Sequence, residues 1–421
     1  MKFDKSYAPE SGLASALDFD TRLSKLADLC VRVGVNLQRG QEFIVTAPIE
    51  ASALVHHITT IAYQLGAKHV TCLYDDPRMI QDRFRHAGDD TFDYAPAWLS
   101  GGVSEALANG AARLYVVAPY PDLLAGVSAD KVVRAHASMG TASAIESKFT
   151  AESRINWSTI PFVTVSWAQT VYPALPVDKA LTKLWEAVFD ATRIDQRDPV
   201  ASWKNHNLAL GKRREALQAR QFSALRFRDG RTDLQVGLAD GHRWVGGSVT
   251  GANGVECICN IPTEEVFTCP HRDRTNGRVY FSKPLFLAGT LVDDVCIEFR
   301  DGVSVSVHAA KGQETLEKLL SADEGARRLG EVGLVPDSSP ISRSNTLFYN
   351  PLFDENAASH FAFGQSYAAC LTDDSSPSVD RGANQSGIHI DCMLGNASMN
   401  VDGIHASGAV EPVMREGEFV I

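Results

Sequence analysis

A chain of 421 residues exceeds what one hydrophobic core usually serves, so two domains are expected. With 44% hydrophobic and 22% charged residues, 32 Gly and 18 Pro, the composition is that of an ordinary globular protein, which excludes a disordered, collagenous or coiled-coil chain. The charges, 40 Lys and Arg against 51 Asp and Glu, leave a net of −11, and the basic clusters Lys212-Arg213-Arg214 and Arg327-Arg328 are short and read as solvated helix faces, which argues against nucleic acid as a partner.

The first twenty residues lack the apolar run of a secretory signal, and no stretch reaches the 18 or more apolar residues of a membrane span. The expectation is a soluble, cytoplasmic protein without a membrane partner. Eight cysteines, spread from Cys30 to Cys392, are too sparse for a disulfide framework.

Between residues 20 and 195, short β-branched runs alternate with segments of helical spacing. Glu42–Ala47, His69–Tyr74, Arg113–Ala118 and Phe162–Trp167 read as buried strands. Leu23, Leu26, Leu29 and Val33, then 53–65, then 179–194 read as helices. This alternation predicts an α/β half with a mostly parallel sheet. Residues 198–221 read as one long helix, and the domain boundary is placed at its end, giving an α/β domain over 1–221 and an α+β domain over 222–421.

In the second half, Asp229-Gly230 and Asp301-Gly302 each stand between two strand-like runs and predict hairpins, hence antiparallel sheet. Helices are expected over 312–329 and over 354–362, the latter capped by Asp354.

No phosphate loop, nucleophile elbow, zincin helix or deaminase signature is present. The stretch 246–254, rich in Gly, reads as a loop between strands, Cys257-x-Cys259 as core cysteines without a second pair, and His56-His57 as structural. The informative residues lie later. His389-Ile390-Asp391 puts two ligand-type side chains on one side of a strand. Glu355 and His360, five apart, would not share one face of a helix. Glu331 follows a predicted helix, and of the pair Glu264-Glu265 one must face inward if the run is a strand. Each alone has a bland reading as a surface acid, a cap or a core histidine. Jointly Glu265, Glu331, Glu355, His360, His389 and Asp391 form an oxygen and nitrogen set without thiolate, suited to a catalytic Zn, Mn, Co or Mg site and numerous enough for two ions sharing a carboxylate.

The runs Asn260-Ile261-Pro262-Thr263-Glu264-Glu265-Val266-Phe267-Thr268, Leu329-Gly330-Glu331-Val332 and Asn350-Pro351-Leu352-Phe353-Asp354-Glu355-Asn356-Ala357-Ala358-Ser359-His360 resemble those of the M29 family of metallo-aminopeptidases, with similarity across nearly the whole chain. The resemblance implies a dinuclear site of two divalent metal ions per chain in the antiparallel half, with the six residues above as ligands or close neighbours and Tyr367, which spacing does not reveal, as a catalytic hydroxyl. Glu331 would bridge the metals, and Glu355 would shuttle a proton. It further implies short peptides as substrates and a homodimer. Cys269, where a small residue such as Ala is expected, and 373–377 depart from the family pattern without touching a proposed ligand. Another dinuclear amidohydrolase or dipeptidase with the same ligands is the alternative enzyme. A binding protein using the parallel sheet is the non-enzymatic one, and it leaves the inward glutamate of the 264–265 pair unexplained.

Overall fold

The computed structural model describes residues 13–121, 123–287, 290–372, 376 and 378–421. The chain divides into two compact units, one holding the described residues up to Asn205 together with Ser248–Pro262, the other His206–Gly247 with Thr263–Ile421. The division thus falls within the helix Pro199–Arg220 and not at 221/222. Ser248–Pro262 joins the first unit because its backbone pairs there: Thr159 N–H donates to Cys259 O at 2.7 Å, Ile261 N–H to Thr159 O at 3.0 Å and Ile258 N–H to Gly34 O at 2.9 Å.

The first unit carries a four-stranded parallel sheet of β1 (Glu42–Pro48), β2 (His69–Asp75), β3 (Ala112–Val117) and β4 (Trp157–Pro161), in the order β2-β1-β3-β4. Three strands fall where the apolar runs place them, and the helices Ser52–Gln64 and Val177–Ala191 bury the expected stripes, Leu54, Val55 and Ile58 in one, Leu181, Leu184 and Val188 in the other. The fourth strand lies earlier than expected. Phe162 and Val163 are buried, but Thr164 accepts a hydrogen bond from Trp167 N–H and caps a helix, Val165–Val171, that takes up the rest of the run. His57 pairs with Asp20 at 2.9 Å, in keeping with a structural role.

The second unit holds a nine-stranded antiparallel sheet and a separate four-stranded one. Both Asp-Gly hairpins form, joining Ala224–Arg228 to Asp233–Leu238 and Thr290–Arg300 to Val303–Lys311. At the second, Asp301 and Gly302 both take positive φ, and a Cβ on Gly302 would lie 1.8 Å from Arg272 O, so glycine is required. The helix expected over 312–329 stops at Leu319, with Leu316 and Leu320 in the core, and 329–334 is strand. The basic clusters are more engaged than solvated faces: Arg213 stacks on the Phe419 ring at 4.6 Å, and Arg328 meets Asp273 at 2.6 Å. All eight cysteines are free thiols, Cys257 in the two-residue strand Glu256–Cys257. Among the described residues no helix is long and apolar enough to cross a membrane. Of the divergent segment 373–377, only Ser376 lies within the described residues.

Candidate metal centre

The smaller sheet of the second unit consists of β5 (Val266–Thr268), β6 (Leu329–Leu334), β7 (His360–Gly364) and β8 (His389–Met393), antiparallel throughout and in the order β8-β7-β6-β5. Alternation gives it two unlike faces. Val332, Phe361, Phe363, Ile390 and Cys392 point into the core, where Phe299 of the larger sheet meets the rings of Phe361 and Phe363 at 5.8 and 5.6 Å. The opposite face carries Glu331, His360, His389 and Asp391.

The register explains how these side chains reach one another. Ala362 pairs with Glu331 on one side and Asp391 on the other, Gly333 stands opposite His360, and Gly364 opposite His389. Small residues therefore alternate with ligand-type ones across the face. At Gly333 the space is fully used, since a Cβ there would lie 2.4 Å from His360 Cε1.

His360 is consequently a strand residue. The helix expected over 354–362 is only Pro351–Asp354, continued as a single tight turn over Glu355–Ala357, and its cap is Asn350, whose side chain accepts from Leu352 N–H, rather than Asp354. Ser359 ends it by accepting from Val335 N–H and donating to Val335 O, both at 3.1 Å, which ties the chain to the end of β6. Glu331, expected after a helix, lies within β6 and is 4% exposed. Glu264 and Glu265 precede β5, and both are buried; the first stands 3.6 Å from His206 Nε2, the second faces the ligand cluster.

Two triads emerge, Glu265–Glu331–His360 and Glu331–His389–Asp391, in each of which one ligand atom per residue lies within 4.8 Å of the others. Glu331 belongs to both. His360 Nε2 is 3.2 Å from Glu265 Oε2 and 3.6 Å from Glu331 Oε1; His389 Nε2 is 3.4 Å from both Glu331 Oε2 and Asp391 Oδ1. Each imidazole turns its other nitrogen to a backbone carbonyl, His360 Nδ1 to Ala358 O at 3.1 Å and His389 Nδ1 to Gln365 O at 2.8 Å. A carbonyl only accepts, so Nδ1 carries a proton and Nε2 is the nitrogen turned to the carboxylates, the one that would give its lone pair to a cation in place of a proton.

The electrostatics point the same way. Burial raises the Glu265 carboxyl above its usual range against the pull of His360, and burial followed by the charges of Glu265 and Asp391 raises Glu355 well above it. Burial opposes charge on His389, but its bonds to Asp391 and Glu331 outweigh that and lift its pKa to about 10; His360 is likewise held well above normal by Glu265 and Glu331. Burial pushes Asp391 up, but the His389 bond together with the charges of His360 and His389 leaves it lowered. Such a concentration of buried carboxylate demands protons or a cation. Glu265 Oε2 is buried and receives no hydrogen bond, the unsatisfied acceptor expected where an ion belongs. Hard oxygen donors with two imidazoles fit a divalent metal of the Zn, Mn, Co or Mg kind.

Glu355 belongs to neither triad but adjoins both electrostatically, and with His389 and Asp391 it lines a cleft of about 160 Å³. Asn356 is fully buried and was invisible to pattern reasoning: its Oδ1 accepts from Glu264 N–H at 2.7 Å and its Nδ2 donates to Glu355 Oε1 at 3.3 Å, joining two acid-bearing segments. Only its place between Glu355 and the apolar Ala-Ala pair hinted at it. Tyr367 is 46% exposed, with its ring 4.8 Å from that of His389; burial of the hydroxyl, then Glu331 and Asp391, raises its pKa.

Residues 19–419 match the family described as thermophilic metalloprotease (M29). Aminopeptidase T of Thermus thermophilus is 46% identical over 407 residues, covering 96% of this chain and 99% of that protein. Aminopeptidase 2 of Geobacillus stearothermophilus is 42% identical over 405 residues, covering 95% and 98%. The solved structure of wild-type AmpT from Thermus thermophilus superposes with a TM-score of 0.90 at 45% identity, covering 96% of this chain and all of that one.

Proposed function

Because this chain belongs to the M29 family of metalloproteases, we propose that it is a metal-dependent aminopeptidase removing N-terminal residues from short peptides, with Glu265, Glu331, His360, His389 and Asp391 as ligands of two divalent cations, Zn, Co, Mn or Mg. The observation that carries the reading is the sharing of Glu331 by two ligand-type triads, so that one carboxylate would serve both ions of a two-metal site. Its relatives' printed names as aminopeptidases support the same substrate class.

The chemistry that divalent cations supply in such a set is a water acidified towards neutrality and a polarised substrate carbonyl. The protein's own groups do the rest. Glu331 keeps one oxygen towards each imidazole, at 3.6 and 3.4 Å, so a single rigid strand sets both halves of the site. Glu355, whose proton affinity burial and neighbouring charge raise, takes a proton from the attacking water and delivers it to the leaving amine nitrogen. Tyr367, kept protonated, donates a hydrogen bond to the oxyanion that develops on the carbonyl. Asp391, whose carboxyl is held below the usual range and which borders the cleft, gives the free α-ammonium group an anionic partner. Homodimer formation and cytoplasmic residence belong to the same reading, and eight free thiols are in keeping with the latter.

Elemental analysis of the purified protein, with hydrolysis of leucine p-nitroanilide before chelation, after it and after return of Co, Zn or Mn, tests the proposal. Two metals per chain with restorable activity, absent on the N-acetylated substrate, are expected. Undiminished hydrolysis without metal, or equal hydrolysis of the blocked substrate, overturns it.

A further inference from the structure

We propose that the cleft beside the ligand sheet holds the side chain of the substrate's N-terminal residue and selects apolar residues of leucine to phenylalanine size. The inference rests on the aminopeptidase reading and extends it to substrate choice. The walls of the cleft include Leu285, Phe286, Leu347, Tyr349 and Met393, while Glu355, His389 and Asp391 bound the same space, so it opens onto the ligand cluster. In a peptide only the first residue carries a free amine and a side chain on one carbon atom. When that amine meets the acids, the side chain on the same carbon enters the adjoining apolar space.

The size and chemistry of the cleft define what fits. A protein cavity of about 150 Å³ lined by apolar side chains accepts benzene, and this one measures about 160 Å³. Among the described residues no lysine or arginine lines it, so an acidic side chain finds no cationic partner on its walls. Asp354 is itself occupied, accepting from Phe348 N–H at 2.8 Å and Asn350 N–H at 2.9 Å, and is no free partner for a basic one.

The backbone is strained where the wall is built. Tyr349 takes φ +55°, costly for a bulky aromatic residue. The two hydrogen bonds to Asp354 flank it and hold the turn, and the ring packs edge-on against Phe286, centroids 4.9 Å apart at 84°. Strain of this kind persists where it aims a side chain, and here that side chain is part of the pocket wall.

The test uses the metal-reconstituted protein and p-nitroanilides of Gly, Ala, Leu, Phe, Lys and Glu. Leu and Phe should exceed Gly in kcat/KM by on the order of 10²-fold, with Glu lowest. Leu347→Trp, which fills the cleft, should lower kcat/KM for Leu and Phe by about 10-fold or more while Ala stays within about 3-fold. Phe286→Ala, which removes wall, should lower Leu relative to Ala by about 10-fold, and it carries the test should the tryptophan variant fail to fold. A flat wild-type profile, a preference for Lys, or equal losses for Ala and Leu in both variants overturns the pocket assignment alone. Hydrolysis of none of the free-amine substrates overturns it together with the aminopeptidase reading.

Discussion

Gly333→Ala puts the register of the ligand sheet to a direct test. The added methyl would stand 2.4 Å from His360 Cε1 and 2.5 Å from Nε2, where ordinary contact begins at 3.4 Å, so the ring must retreat by about 1 Å. Retreat is resisted. His360 is 1% exposed, its Nδ1 is tied to Ala358 O, and the next residue on its strand, Phe361, is locked among aromatic rings on the other face. Metal–ligand distances tolerate only about 0.2 Å, and a misplacement of about 1 Å in a catalytic constellation costs about 10²-fold, equivalent to about 2.7 kcal/mol. The expected result is a reduced metal content after dialysis at fixed free Co, kcat/KM for leucine p-nitroanilide down about 10²-fold, and a urea-unfolding loss of about 1–3 kcal/mol from overpacking. Gly102→Ala, in the helix Ala97–Ala108 with nothing within 4 Å of its Cβ, is the control and should leave activity intact. Wild-type metal content and kcat/KM within about twofold in Gly333→Ala would refute the reasoning.

Tyr367→Phe should lower kcat by about 10²–10³-fold with metal content unchanged; steady-state kinetics beside elemental analysis decide it, and an unaltered kcat removes the hydroxyl from the mechanism. Asn356→Ala strands Glu264 N–H and loosens Glu355, so denaturant unfolding should register a loss of about 1–3 kcal/mol; an unmoved midpoint speaks against the bridging amide. Gly302→Ala forces a side chain onto Arg272 O at positive φ and should destabilise the fold by at least about 1 kcal/mol while sparing metal content, and thermal unfolding beside elemental analysis checks both halves of that expectation.

What could be read along the chain was local or periodic. Three of the parallel strands stood out as β-branched runs, both Asp-Gly turns as hairpins, and His389-x-Asp391 as one face of a strand, because each signal lies within a few residues. The misreadings occur where distant partners decide. The run 354–362 has helical character, but Ser359 bonds to Val335 and β6 recruits His360 into a sheet, so tertiary pairing overrides propensity. Glu331 followed a segment of helical spacing and belongs to a strand for the same reason. Of the pair Glu264-Glu265 one is expected to face inward; both do, because they precede β5 in irregular backbone, free of strand alternation. Phe162–Trp167 looked like a strand because a buried loop and a capped helix share its apolar texture. Gly333, Ala362 and Gly364 left no trace at all, since their smallness has meaning only across strands.

The alternation of ligand and aromatic residues along β6–β8 makes the assay report on more than chemistry. A slip of one residue in any of these pairings would turn Phe361 or Phe363 towards the ligands and drive His360 or Asp391 into the aromatic layer. Such a molecule could be compact and rich in sheet, and spectroscopy of secondary structure would count it as folded. On the proposed reading it would hold no ion and cleave nothing. Specific activity per mole of chain is therefore a measure of how faithfully a preparation has aligned its strands, and refolding yields judged by turnover should fall below those judged by circular dichroism.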